Sequence, residues 1–171
     1  MYEQEKINDF YIRAENILAT LDKNEAFKII TAELDKCDER YLNDYVIVLN
    51  NIRTEKNLDW IENNASRVKN ISSNWGHVAA LSYFNWTLAD KWLTIGRPLS
   101  LIALDALIFC TTNGERLNQS LIMRKINPKL VDNPKLEIVA RRLQVYLEID
   151  NVPRTKDSVH RIINNIFETG K

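Results

Sequence analysis

Histidine and cysteine, which can serve as bases, nucleophiles and metal ligands, occur at four positions: His77, His160, Cys37 and Cys110. A nucleophilic serine, threonine or cysteine needs a base within hydrogen-bond reach. Neither cysteine neighbours a histidine in the sequence, and no Gly-x-Ser-x-Gly motif occurs. Zinc sites gather their ligands in clusters, whereas these four are scattered. We therefore expect no enzyme and no metal site, with His77 packed or capping and His160 exposed.

Asp105 lies inside the apolar segment LIALDALIF, residues 101–109. Burying an unpaired carboxylate costs free energy, so we expect Asp105 to pair with an arginine of a following helix, Arg141 or Arg142. A second interpretation makes Asp105 the functional acid of a helical-repeat enzyme that binds nucleic acid. That interpretation requires a concave basic groove around Asp105.

The glycine content and the net charge argue against two further classes of function. The chain has only four glycines, all isolated, and a phosphate cradle needs several within one loop. No cofactor, nucleotide or otherwise, is therefore expected. The second half of the chain is mildly basic, but the formal net charge of the whole chain is zero. Because affinity for nucleic acid grows with the number of phosphates neutralised, a protein partner is favoured over nucleic acid.

Hydrophobic spacing predicts helices along the chain and strands nowhere. Apolar residues recur at intervals of three and four, and four glycines and four prolines are too few for the turns of an all-β fold. The predicted helices cover approximately 3–21, 24–37, 38–49, 58–68, 74–95 (one helix, or two joined near Asn85), 98–110, 116–126, 134–147 and 155–167. We predict an all-α fold of eight or nine helices in a single domain, 1–171.

Local signals mark several helix ends. Asn24 is predicted to cap one helix, Asp38 to begin the next, and Ser72 with Ser73 to mark a later start, while Gly96 is predicted to end a helix. The helix over 98–110 is apolar on all sides, which is typical of a helix surrounded by others. We predict that it is the central element of the fold.

The N-terminal sequence MYEQEKINDF has no basic or apolar region typical of a signal peptide. The strongly apolar stretch over 99–110 contains Asp105 and is too short to cross a bilayer. Two cysteines far apart do not make a disulfide framework. Together these features predict a cytoplasmic protein with buried thiols and no contact with a membrane.

Charge and tryptophan are unevenly distributed. Residues 1–70 contain 14 acidic and 10 basic side chains, whereas residues 71–171 contain 9 and 13. Such asymmetry can direct a partner of one sign to one end of a molecule, although chance imbalance on solvated helix faces is the simpler explanation. Four tryptophans lie within residues 60–92; most should be core, and Trp86 is expected to be partly exposed. The candidate partner-binding residues are Asp35, Asp38, Glu39, Asp44, Glu55, Asp59, Glu62 and Trp86.

The segment GRPLSLIALDALIFC, residues 96–110, resembles the second helix of a HEAT-type repeat, with a turn, a proline and then closely packed alanine and leucine. NPKLEIVARRLQVYLEI, residues 133–149, is a looser match, and its proline follows Pro98 by 36 positions. Repeat periods of this kind lie in the thirties and forties. The resemblance implies HEAT-like stacked helix pairs; an irregular helical bundle is the alternative.

A small all-α chain with an acidic stretch and no reaction centre resembles, in general type, the bacterial immunity proteins. That resemblance implies a non-catalytic module that binds and occludes a cognate toxin of contact-dependent growth inhibition, with a basic domain such as a nuclease as partner. A helical-repeat scaffold or adaptor is the first alternative. The nucleic-acid enzyme that uses Asp105 is the second.

Overall fold

The computed structural model describes residues 2–112 and 136–169. These ranges contain nine α-helices and no strand, which confirms the predicted all-α class. The α-helices are α1 (Tyr2–Thr20), α2 (Lys23–Lys36), α3 (Glu39–Tyr45), α4 (Lys56–Asn64), α5 (Ser73–Ala80), α6 (Trp86–Ile95), α7 (Leu99–Thr111), α8 (Leu136–Ile149) and α9 (Pro153–Thr169). Two 3₁₀ segments cover Val46–Asn51 and Ala65–Arg67. The helix predicted over 116–126 lies outside the described residues.

Side-chain caps set several of these helix starts. Asp38 begins α3 as predicted, and it caps the helix, since its Oδ1 accepts the backbone N–H of Arg40 at 2.9 Å. The prediction that Asn24 caps α2 is wrong. Asp22 does so, with Oδ1 accepting the N–H groups of Asn24 and Glu25 at 2.9 and 3.0 Å. Asparagine and aspartate are about equally good caps, so residue type alone did not separate the two positions.

The region predicted as one long helix or two contains two, α5 and α6. Asn85 begins the second, because its Oδ1 accepts the N–H of Leu88 at 2.9 Å. α6 ends at Gly96, whose φ of 96° is a backbone conformation that L side chains rarely adopt. A glycine stop was expected there, and its lack of a Cβ explains it.

α7 is the central helix, as predicted. Most of its side chains are buried on several sides, and it packs against α5, α6 and α9. At the crossing with α5, a Cβ added to Gly76 would lie 2.9 Å from the backbone nitrogen of Ala106, and closer still to the Cβ of Asp105. Gly76 therefore permits the close approach of α5 to α7.

Asn43 of α3 fixes the start of α5. Its Oδ1 accepts the indole Nε1–H of Trp75 at 2.8 Å and the backbone N–H of Ser72 at 3.2 Å. Its Nδ2 donates to the backbone carbonyl of Asn70 at 2.8 Å. The backbone carbonyl of Asn43 accepts from Nδ2 of Asn74 at 2.9 Å. This one polar side chain thus joins α3 to the loop and helix that follow α4.

Within the described ranges, no helix combines the length and apolar character that crossing a bilayer requires. In the same ranges Cys37 and Cys110 form no disulfide, and Cys37 is half-buried while Cys110 is buried. The repeat-like HEAT stacking stays a prediction.

Candidate partner-binding surface

Three of the predicted acidic residues share one helical face, Asp59 and Glu62 within α4 and Glu55 directly before it. Glu55, Asp59 and Glu62 are separated by four and three positions, the spacing that places helical side chains side by side. Glu55 and Asp59 are exposed, and neither forms an ion pair within the described part of the chain. Glu62 is partly buried, and its Oε1 lies 2.6 Å from Nζ of Lys91 on α6. Two of the three negative charges are therefore available to a partner.

Asp35 of α2 is held beside α4 by a tryptophan. The Nε1–H of Trp60 donates to Oδ1 of Asp35 at 2.9 Å. Trp60 also stacks on Trp75, with ring centroids 5.6 Å apart and planes inclined by 14°. Asp35 is exposed and keeps its charge at the surface, but it is also a structural acceptor. The sequence prediction did not include that second role.

The remaining acids lie on or beside α3. Asp38 caps the helix and also pairs with Arg40, the Nη2 of which lies 2.9 Å from Oδ2. The hydrogen bonds from Arg40 lower the pKa of Asp38. Glu39 and Asp44 are exposed and have no ion pair with other described residues. On α3, therefore, Asp38 is compensated, whereas Glu39 and Asp44 are not.

Asp44 lies against α1. Its backbone carbonyl accepts a hydrogen bond from the hydroxyl of Tyr11 at 2.6 Å. Burial and the negative charge of Asp44 raise the pKa of Tyr11, so the phenol stays protonated and remains a donor. The aromatic side chain of α1 and the carboxylate of α3 are therefore neighbours.

The predicted acids lie on neighbouring helices. The Trp60 hydrogen bond joins Asp35 to α4, and the α3 acids lie next to α1. Burial raises the pKa of Cys37, and the negative charges of Asp38 and Asp35 raise it further, so both acids lie near the same thiol.

Trp86 is the first residue of α6 and is half-buried, as expected, whereas the other three tryptophans are buried. Its link to the acidic residues is indirect, since α6 also carries the Lys91 that pairs with Glu62.

The two histidines occupy different environments. His77 is half-buried with its ring centroid 4.3 Å from that of Phe109, and burial lowers its pKa. This confirms the expectation of a packed side chain. His160 is exposed on α9, also as expected. In the described ranges, no three side chains among histidine, cysteine, aspartate and glutamate converge as a metal site would require.

No family model, curated protein or solved structure matches this chain.

Asp105 is mostly buried, with 17% of its side chain exposed, and it faces α9. Its Oδ2 lies 3.7 Å from Nη2 of Arg154, beyond hydrogen-bond reach. The predicted pairing with Arg141 or Arg142 is wrong. Arg142 instead donates from Nε to Oδ1 of Asp90 on α6 at 2.7 Å, and Arg141 is exposed. The reason is the packing: α9, and not α8, supplies the arginine that lies against Asp105.

Burial raises the pKa of Asp105, and the positive charges of Arg154 and Arg161 only partly oppose this. The folded state therefore favours the protonated acid more than the unfolded chain does. As pH rises through the ordinary value of 3.8, the unfolded chain loses this proton first and the protein becomes less stable. The free energy of unfolding stops falling once the carboxyl of the folded protein has also ionised, because both states then carry the same charge at this position.

Replacing Asp105 with asparagine should remove this cost. We expect Asp105→Asn to be more stable than the wild type at about pH 7, and the gain to shrink as pH falls towards about 3.5. Urea denaturation followed by circular dichroism at several pH values measures it. Asp157→Asn, an exposed change on α9, is the matched control. A variant less stable than the wild type at neutral pH would mean that the Arg154 contact outweighs burial.

An exposed apolar row on α8 was missed from the sequence. Ile138, Val145 and Ile149 are 55%, 47% and 73% exposed. Their spacing places them on one side of the helix, about 120° around from the buried Val139 and Leu143. The signal was present in the spacing, because Val145 is two positions after Leu143 and so about 200° around the helix from it.

Proposed function

We propose that this chain is a non-catalytic protein-binding module that acts in the cytoplasm as an immunity protein. It binds a basic toxin domain and occludes that domain's working surface. The observation that carries the proposal is the set of exposed acids on α3 and at the start of α4 that form no ion pair with a described cation: Glu39, Asp44, Glu55 and Asp59.

Charges of this kind act mainly on the rate of association. An exposed carboxylate already paired within its own chain offers a partner little attraction, whereas an uncompensated one adds to the long-range field. A basic nuclease surface must bind phosphates, so it carries the complementary charge. Complementary potentials speed the encounter and fix its orientation. Anchoring side chains near the centre of the interface then set the rate of dissociation.

Reversing two of these charges should weaken the complex. We expect Glu55→Lys together with Asp59→Lys to slow association with the toxin domain encoded beside this gene by about 10- to 100-fold at low salt. The difference should narrow as salt is added, because salt screens exposed charges. Surface plasmon resonance over a series of salt concentrations measures both effects.

The control carries the same change in net charge on another helix. Glu137→Lys together with Glu148→Lys changes two exposed acids of α8, one of them in the first turn as Asp59 is in α4. This pair should leave association within about twofold of the wild type. Equal loss in both double variants would show that net charge, and not the α4 face, attracts the partner. Failure of the wild-type chain to protect cells that express the toxin domain would refute the proposed function.

A further inference from the structure

A cleft of about 300 Å³ opens between α1 and the 3₁₀ segment Val46–Asn51. Its floor is formed by Ala14 and Val48, which are 2% and 6% exposed. Half-buried Tyr11, Leu18 and Ile47 form its walls with Asn50, while exposed Glu15 and Asn51 are at its rim. Small-molecule sites begin at about this volume and extend to several times larger, so one long side chain suits this cleft better than a bulky cofactor.

The charge of the cleft is negative. Among the eight lining residues Glu15 supplies a carboxylate, and none of the eight is a lysine or an arginine. Asp44 lies beside the cleft, since its backbone carbonyl accepts the hydroxyl of the lining residue Tyr11, and burial together with the negative charge of Asp44 raises the Tyr11 pKa. Arg53 also lies nearby, with Nε donating to the backbone carbonyl of the lining residue Asn50 at 3.4 Å, so Glu15 and Asp44 outnumber this cation. Asp44 has no ion pair with another described residue. The apolar floor and the acidic rim together suit a side chain with an aliphatic stem and a cationic end.

One polar atom at this cleft lacks a partner. Oδ1 of Asn50 is shielded from solvent and accepts no hydrogen bond within the described part of the chain. A shielded acceptor left unpaired costs free energy, and a donor entering the cleft recovers it once the Asn50 side chain has turned its Oδ1 towards the cleft. A group that brings several N–H donors therefore gains more here than one that brings charge alone.

We propose that this cleft is the anchor site for an arginine side chain of the protein partner, an inference that rests on the proposed function. The stem of the arginine packs on Ala14 and Val48, and the guanidinium reaches Glu15 and Asn50. Arginine fits better than lysine because its planar group carries five donors and stacks on aromatic rings, and Tyr11 supplies such a ring. Arginine is also among the residues that most often dominate binding energy at interfaces.

A titration without any partner protein tests the cleft itself. The probe is N-acetyl-arginine N-methylamide, added to ¹⁵N-labelled full-length chain and followed by two-dimensional NMR. We expect dissociation in the millimolar range, with shift changes concentrated in α1 and Val46–Asn51. Glu15→Gln should weaken binding about fivefold, as expected for the loss of one exposed charge. Glu5→Gln, the same change at an exposed position of α1, should leave binding unchanged.

The other outcomes of this titration overturn the inference. An N-acetyl-norleucine N-methylamide probe that binds as tightly would show an apolar site with no preference for a cation. Equally tight binding of N-acetyl-lysine N-methylamide would remove the assignment to arginine. Shift changes concentrated in α4 or α9 would place the guanidinium at another site. No shift changes at all would show that the cleft does not bind it.

A second measurement separates this inference from the proposed function. Glu15→Gln should weaken binding of the toxin domain about fivefold, and Glu5→Gln should not. If the arginine probe occupies the cleft but the wild-type chain does not bind the toxin domain, the proposed function fails and the chemistry of the cleft stands. If the toxin domain binds the wild type and Glu15→Gln equally, the anchor site is refuted while the proposed function survives.

Discussion

Replacing Trp75 with alanine should lower the free energy of unfolding by about 4 kcal/mol, within the range for large aromatic side chains removed from a core. Trp75 is fully buried and stacks on Trp60. Its Nε1–H also donates to Asn43. The substitution leaves a cavity between α4 and α5 and removes one of the bonds by which α3 holds the start of α5. Urea denaturation followed by circular dichroism gives the value.

Two further variants separate the contributions to this loss of stability. Trp75→Phe keeps a six-membered ring in the core but loses the hydrogen bond and the volume of the second indole ring, so we expect a loss of about 2 kcal/mol. The acceptor on Asn43 keeps its bond from the N–H of Ser72, which limits that loss. Trp86→Ala makes the same change at a half-buried tryptophan and should cost less than half as much as Trp75→Ala. A larger loss at Trp86 would contradict the placement of Trp75 at the centre of the aromatic packing.

The elements that could be predicted from the sequence are those determined by local signals. Asp38 caps α3 because its side chain reaches N–H groups only two residues away. α7 is central because a helix that is apolar on all sides has no face suited to water. Neither inference requires knowledge of how distant segments pack.

The features that could not be predicted depend on the rotation and order of packed helices. Asp105 has arginines available from both α8 and α9, and only the packing of α9 on α7 selects Arg154 over Arg142. Asp35 resembles any surface acid in the sequence, yet Trp60 reaches it from another helix. Tertiary contacts of this kind carry no spacing signal.

The candidate site was predicted only in part for the same reason. The sequence indicated that the N-terminal half is acidic, but which acids are compensated depends on Arg40 and on Lys91 of α6. The cleft was not predicted at all. Its far wall is the 3₁₀ segment Val46–Asn51, where the spacing of Val46 and Leu49 had predicted a continuing α-helix. The tighter winding of the chain there is what places Asn50 and Asn51 opposite Glu15.

Replacing Gly76 with alanine tests the closest approach described for α5 and α7. Two effects oppose one another. Alanine favours a helix interior over glycine by about 1 kcal/mol, which would stabilise α5. Its methyl group, however, would meet the Cβ of Asp105 and lie 2.9 Å from the backbone nitrogen of Ala106. Because the atoms it meets belong to the backbone and the base of a side chain, no rotamer change relieves the overlap, and α7 must move.

Overpacking of this kind costs about 3 kcal/mol at the upper end of its usual range, so we expect Gly76→Ala to lose about 2 kcal/mol net in urea denaturation. Ala32→Gly, at an exposed position within α2, measures the helix preference in this chain and should cost about 1 kcal/mol. Adding that value to the loss at Gly76 gives the steric part alone. A Gly76→Ala protein as stable as the wild type would mean that α5 and α7 are farther apart than described. Asp105, at that contact, would then not owe its burial to α5.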